Sequence, residues 1–91
     1  MLRVRTKARN KKAPRTERVL SYTVLLRPET EGGYTVLVPS LPGCITYGKT
    51  VSNARAMAEE AIGLYVESLR DMREPVPTEK GSLLSSVTVR V

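Results

Sequence analysis

The residues best suited to chemistry on a ligand are bases, and they are crowded at one end of the chain. Arg3, Arg5, Lys7, Arg9, Lys11, Lys12, Arg15 and Arg18 fall within the first 18 positions, opposed by Glu17 alone. Residues 19–91 carry seven bases and eight acids, so the formal net charge of +6 originates in the first 18 residues. Clustered Lys and Arg neutralise phosphates without further structure, which makes these eight residues candidates for contacting nucleic acid. No aromatic residue is interleaved among them, so base stacking is not indicated. A basic segment with so few apolar side chains cannot bury enough surface to fold alone. Residues 1–18 therefore read as a disordered arm on a domain spanning 19–91, and the same composition also suits a solvated tail with no ligand.

Catalytic groups are scarce. The chain has no histidine, which removes Ser-His and Cys-His nucleophile pairs, histidine general bases and most zinc sites together. Its one cysteine, Cys44, can form no internal disulfide and supplies no metal cluster; it reads as a small buried apolar side chain. No cofactor is expected.

The elements that must carry any site follow from periodicity. Val19 to Arg27 is rich in β-branched and aromatic residues, with Leu20, Tyr22, Val24 and Leu26 on one face and Leu25 an apolar exception on the other. Pro28 ends this strand. Glu29 to Gly33 form a hairpin loop, and Tyr34, Val36 and Val38 alternate along a second strand. The chain turns through Leu41-Pro42-Gly43 into a third strand, Cys44 to Tyr47. Connections this short make an antiparallel meander.

A long helix follows. Ser52 is a suitable N-cap, and Ala54, Met57, Ala58, Ala61, Ile62, Tyr65, Leu69 and Met72 recur at three- and four-residue steps as one apolar stripe. Pro75 and Pro77 require the helix to stop near Arg73-Glu74. After a polar connector, Val87, Val89 and Val91 alternate in 85–91, which predicts a fourth strand. The expected architecture is α+β, in the order βββαβ, an antiparallel sheet with one helix on one face.

A single helix covers only one face of a sheet. Leu25 and Leu37 lie on the other, and at least one edge strand is unpaired, so these surfaces call for a partner. At 91 residues, with neither Phe nor Trp, a monomer is marginal, and a homo-oligomer, dimer or tetramer, is the expectation. No apolar run approaches the ~20 residues that span a bilayer, and the polar N-terminus has no secretory h-region, which points to the cytoplasm.

The stretch from Gly32 to Ile62, GGYTVLVPSLPGCITYGKTVSNARAMAEEAI, resembles the HicB family of type II antitoxins. Members show a Gly-Gly-Tyr turn, a Pro-Asp-Leu-Pro-Gly-Cys segment, then Gly-Asp-Thr and a helix opening with Glu-Ala. Gly33-Tyr34, Pro39, Leu41-Pro42-Gly43-Cys44, Gly48, Thr50, Ala54, Ala58 and Ala61-Ile62 match at that spacing, over roughly residues 20–75. The departures are polar: Ser40 and Lys49 stand where Asp is usual, and Asn53 stands for Glu. The resemblance implies a partial RNase H-like fold and a binding role, in which a small HicA-type RNA-cleaving toxin is held and blocked. Many relatives add a C-terminal DNA-binding segment; this chain ends just after its fourth strand, and none is expected here.

Three functions can then be weighed. The first is an antitoxin-like module, with Leu25, Leu37, Pro39, Ser40, Leu41 and Pro42 as candidate partner-binding residues. The second is a nuclease of RNase H type, which would need several carboxylates converging from strands and helix. The four expected strands contain no Asp or Glu, so catalysis is not expected. The third is a nucleic-acid-binding or regulatory protein acting through the basic arm, on a degenerate RNase H-like fold.

Overall fold

The computed structural model describes residues 19–91. The arm expected over 1–18 and its eight bases lie outside the described residues. Three strands, β1 (Leu25–Pro28), β2 (Tyr34–Leu37) and β3 (Ile45–Gly48), precede a single helix, α1 (Val51–Asp71). The sheet order is β1-β2-β3, antiparallel throughout, and α1 packs on one face. This is the expected α+β arrangement, a meander followed by a covering helix.

Local chemistry sets each boundary. The β1–β2 loop closes with Gly32 N–H donating to Glu29 O and Glu29 N–H to Gly33 O, both at 3.0 Å. Gly33 is at φ 79°. A Cβ there would also lie 2.0 Å from Tyr47 Oη, whose hydroxyl donates to Gly32 O at 2.9 Å. Gly48 serves packing instead: a Cβ on it would come within 2.3 Å of Ala54 Cα, so its absence lets α1 start directly against the end of β3.

Two successive turns, sharing Leu41, carry the chain from β2 to β3. Leu41 N–H donates to Val38 O at 3.0 Å and Cys44 N–H to Leu41 O at 2.9 Å. Inside them Leu41 is fully buried against Val38 and Cys44, with Tyr22, Ala61, Ile62 and Tyr65 around the cluster. A second cluster joins Val36 to Ala54 and Ala58, flanked by Val24, Leu26 and Tyr34. The inward face expected from alternation is thus the face that meets the helix.

Both ends of the helix lie a residue or two from where the sequence reading sets them. The N-cap of α1 is Thr50, not Ser52: Thr50 Oγ1 accepts from Asn53 N–H at 3.0 Å while Asn53 Oδ1 accepts from Lys49 N–H at 2.9 Å. The reciprocal pair satisfies two donors where a cap at Ser52 would begin the helix later. At the other end the cap is Met72, and Arg73 is left-handed at φ 59°. Glu74 N–H donates to Leu69 O at 2.8 Å and Arg73 N–H to Arg70 O at 3.0 Å, a Schellman ending two residues before Pro75. The apolar stripe shifts accordingly: Val66 is buried, whereas Met72, beyond the last turn, is exposed.

The first strand pairs over only part of its expected length. Residues 19–24 keep the alternation of exposed and half-buried side chains, but β2 leaves the sheet at Val38-Pro39, and nothing continues the ladder beside them. The fourth strand expected over 85–91 does not pair at all. Among the described residues it has no strand neighbour, and residues 81–91 are exposed along their whole length.

Candidate partner-binding surface

The sheet face away from α1 is built by register. Leu25 lies opposite Leu37, and Leu37 opposite Ile45, so three aliphatic residues form one row across all three strands. The next row is Arg27, Thr35 and Tyr47. Directly opposed residues in an antiparallel sheet have Cβ atoms ~5 Å apart, which makes each row a continuous surface. Leu25 is 51%, Ile45 60% and Tyr47 47% exposed, with Leu37 half-buried between its neighbours. Scattered surface leucines are ordinary; an aligned row on an uncovered sheet face is what binding surfaces are made of.

The 39–42 loop borders this face. Pro39 follows Leu37 by two residues and is exposed, as is Pro42; Ser40 is half-buried. Leu41 points inward and is buried, so its part is to hold the loop from within. Tyr65 Oη donates to Pro42 O at 2.7 Å, tying the loop to α1. The loop is consequently a fixed shape, whose outer side consists of two prolines.

Glu79, on the connector after α1, closes the border. Its carboxylate accepts from Thr23 N–H at 2.9 Å, from Thr23 Oγ1 at 2.9 Å and from Ser40 Oγ at 2.8 Å. The register extended past Leu25 puts Thr23 opposite Pro39, where β2 has turned away, so the carboxylate occupies the place a strand would have taken. The Thr23 N–H, then the Ser40 hydroxyl, hold the Glu79 carboxyl below its ordinary range. A hydroxyl beside a carboxylate could suggest a nucleophile and its base. Here the carboxylate is made a weaker base by the same donors, and its role is structural.

The three strands contain no acidic residue, and among the described residues no three His, Cys, Asp or Glu side chains cluster as metal ligands. Cys44 is buried, and burial pushes its thiol up, away from the reactive thiolate.

Of the six candidates read from sequence, the structure brings together Leu25 and Leu37 as direct partners, with Pro39, Ser40 and Pro42 on the adjoining loop. It takes Leu41 into the core. Sequence reasoning missed Ile45, Tyr47 and Glu79. Alternation could have found the first two, because a buried Cys44 places Ile45 and Tyr47 outward; Glu79 had no local signal, since its partners lie 56 and 39 residues away.

The sequence model described as "HicB_like antitoxin of bacterial toxin-antitoxin system" matches residues 22–88. A UPF0150 protein of Thermoplasma acidophilum is 43% identical over 60 residues, covering 66% of this chain and 87% of that protein. One of Synechocystis is 44% identical over 63 residues, covering 69% and 80%. Another, of Archaeoglobus fulgidus, is 33% identical over 55 residues, covering 60% and 80%. The matched span takes in all three strands, the helix, the 39–42 loop and Glu79. The chain belongs to the HicB-like antitoxins of bacterial toxin–antitoxin systems.

Proposed function

We propose that this protein neutralises a HicA-type RNA-cleaving toxin by covering the toxin's RNA-binding site with its open sheet face, in the cytoplasm where the RNA is. The observation that carries the reading is the Leu25–Leu37–Ile45 row, an aligned apolar surface in a chain whose family works by binding. The rigid Pro39–Pro42 loop supplies shape beside it, and the Glu79 carboxylate sits at its border. Occlusion needs no catalytic group, and the strands behind the surface offer none. Ser40 fits the reading too. Where the family usually has Asp, the shorter hydroxyl donates to Glu79, so the negative charge at this border comes from residue 79.

Co-expression with the toxin encoded beside this gene tests it. The intact chain should restore growth and co-purify with the toxin, while Ile45→Asp should do neither and yet keep its helical circular dichroism. Rescue by Ile45→Asp equal to that of the intact chain would defeat the proposal.

A second activity is supported by the charge distribution: the basic arm, 1–18, contacts nucleic acid through Arg3, Arg5, Lys7, Arg9, Lys11, Lys12, Arg15 and Arg18. Binding that uses six or more of these should fall by ~10³-fold or more between 50 and 200 mM salt. Deleting the arm should abolish it, and affinity unchanged by the deletion would rule the arm out.

A further inference from the structure

Among the described residues the sheet has two free edges: β1 and β3 each pair on one side only, and residues 20–24, which lead into β1, pair on neither. Nothing among the described residues pairs with 83–91, and Leu83, Leu84, Val87, Val89 and Val91 are between 70% and 115% exposed. Between residues 20–24 and α1 runs an open groove of about 860 Å³, with Leu20, Tyr22, Val24, Ile62, Gly63 and Val66 along it and charged α1 residues, from Arg55 and Glu59 to Arg70 and Asp71, lining it as well. A Cβ built on Gly63 would meet nothing within 4 Å, so this stretch of the helix surface is uncovered.

We propose that residues 83–91 add as a strand to the free β1 edge of a second copy of this chain. The exchange is reciprocal and lays Val87, Val89 and Val91 over the second copy's groove. The pattern of the segment identifies the occupant. Leu83, Ser85, Val87, Val89 and Val91 share one side, apolar but for Ser85, and Leu84, Ser86, Thr88 and Arg90 the other. β1 and its continuation are built alike, with Leu20, Tyr22, Val24 and Leu26 inward and Ser21, Thr23, Leu25 and Arg27 outward. The segment is therefore written as a strand of this same sheet, and nine residues, 83–91, match the nine of 20–28 in length.

The connector explains why the strand serves another copy. It is fastened to its own chain by Tyr22 Oη donating to Pro77 O and by the bonds of Glu79 to Thr23 and Ser40. A turn follows immediately, with Ser82 N–H donating to Glu79 O at 2.9 Å and Gly81 left-handed at φ 84°. Beyond that turn residues 83–91 stand in solvent, and among the described residues nothing covers the chain's own β1 edge. Exchange of identical elements about a two-fold axis closes the β1 edges of both copies at once and gives each added strand a partner, while the outer edge of β3 stays free. The Leu25–Leu37–Ile45 face stays open on each copy.

The test uses the full chain with no toxin present, so it is decided independently of the antitoxin reading. Light scattering across a dilution series gives the dimer fraction, and amide hydrogen exchange gives protection at residues 84–91. Protection should rise and fall with the dimer fraction. The double substitution Val87→Asp with Val89→Asp should weaken dimerisation about 100-fold while helical circular dichroism is retained. A dimer with unprotected 84–91, or one indifferent to the double substitution, overturns the proposal. So does protection of 84–91 in a monomer, which would mean that the strand closes on its own chain. A monomer at every concentration with 84–91 unprotected overturns it as well, and leaves the segment to a different protein.

Discussion

Gly48 and Gly43 separate two reasons for a glycine. Gly43 is left-handed at φ 83° with open space around it, so Gly43→Ala meets only the backbone cost of ~1–2 kcal/mol. Gly48→Ala drives a methyl into the backbone of Ala54, where nothing flexible can yield, and α1 must lift from β3. Its loss should exceed that of Gly43→Ala, reaching ~3 kcal/mol by urea denaturation. Glu79 makes a second prediction at this scale. Its carboxyl is held low in the folded chain by Thr23 and Ser40, so its contribution is complete above the ordinary carboxylate range and fades as pH falls through the lowered value. Glu79→Gln should flatten this part of the acid dependence in thermal melts from pH 7 to 3. An unchanged slope would show that the carboxylate is not what anchors the connector.

The helix shows how much of an element is legible in sequence. Its existence, its length of about six turns and most of its buried stripe follow from the spacing of Ala54, Ala58, Ala61, Ile62 and Tyr65. Its ends do not, because several residues compete to cap it. Thr50 and Ser52 are both competent N-caps, and the decision lies with Asn53, whose amide bonds back to Lys49 only if Thr50 is the cap. Thr50→Ala should therefore cost ~1 kcal/mol and Ser52→Ala only a few tenths, read as shifts in the thermal midpoint. At the C-terminal end Arg73 takes a left-handed conformation that suits glycine better. Arg73→Gly should raise stability by up to ~1 kcal/mol, and a loss would show that the arginine side chain holds something in place. The strands divide the same way. Alternation places Val36 and Val38 inward and Leu25 outward, but pairing depends on which neighbour is present. Residues 19–24 and 85–91 have the composition of strands and lack the partner.

At the scale of the whole molecule, one helix and three short strands make a sheet with one finished face. The finished face was readable from periodicity, since every inward residue of β1 and β2 answers to the helix stripe. The open face was readable only in part: Leu25 and Leu37 stand out as breaks in alternation, while Ile45 is revealed by the register that sets it opposite Leu37. Glu79 belongs to the same border but is joined to it by contacts no local pattern announces. Assigning the open face to the toxin, and the β1 edge to residues 83–91 of a second copy, gives these two surfaces distinct occupants. The most direct test of the antitoxin reading is the affinity of the purified chain for its toxin, by calorimetry, with and without Leu25→Asp and Ile45→Asp together. The pair should weaken binding by at least about thirty-fold, as the loss of a central apolar anchor does, while the fold is retained. Affinity equal to that of the intact chain would contradict the assignment of this face to the toxin.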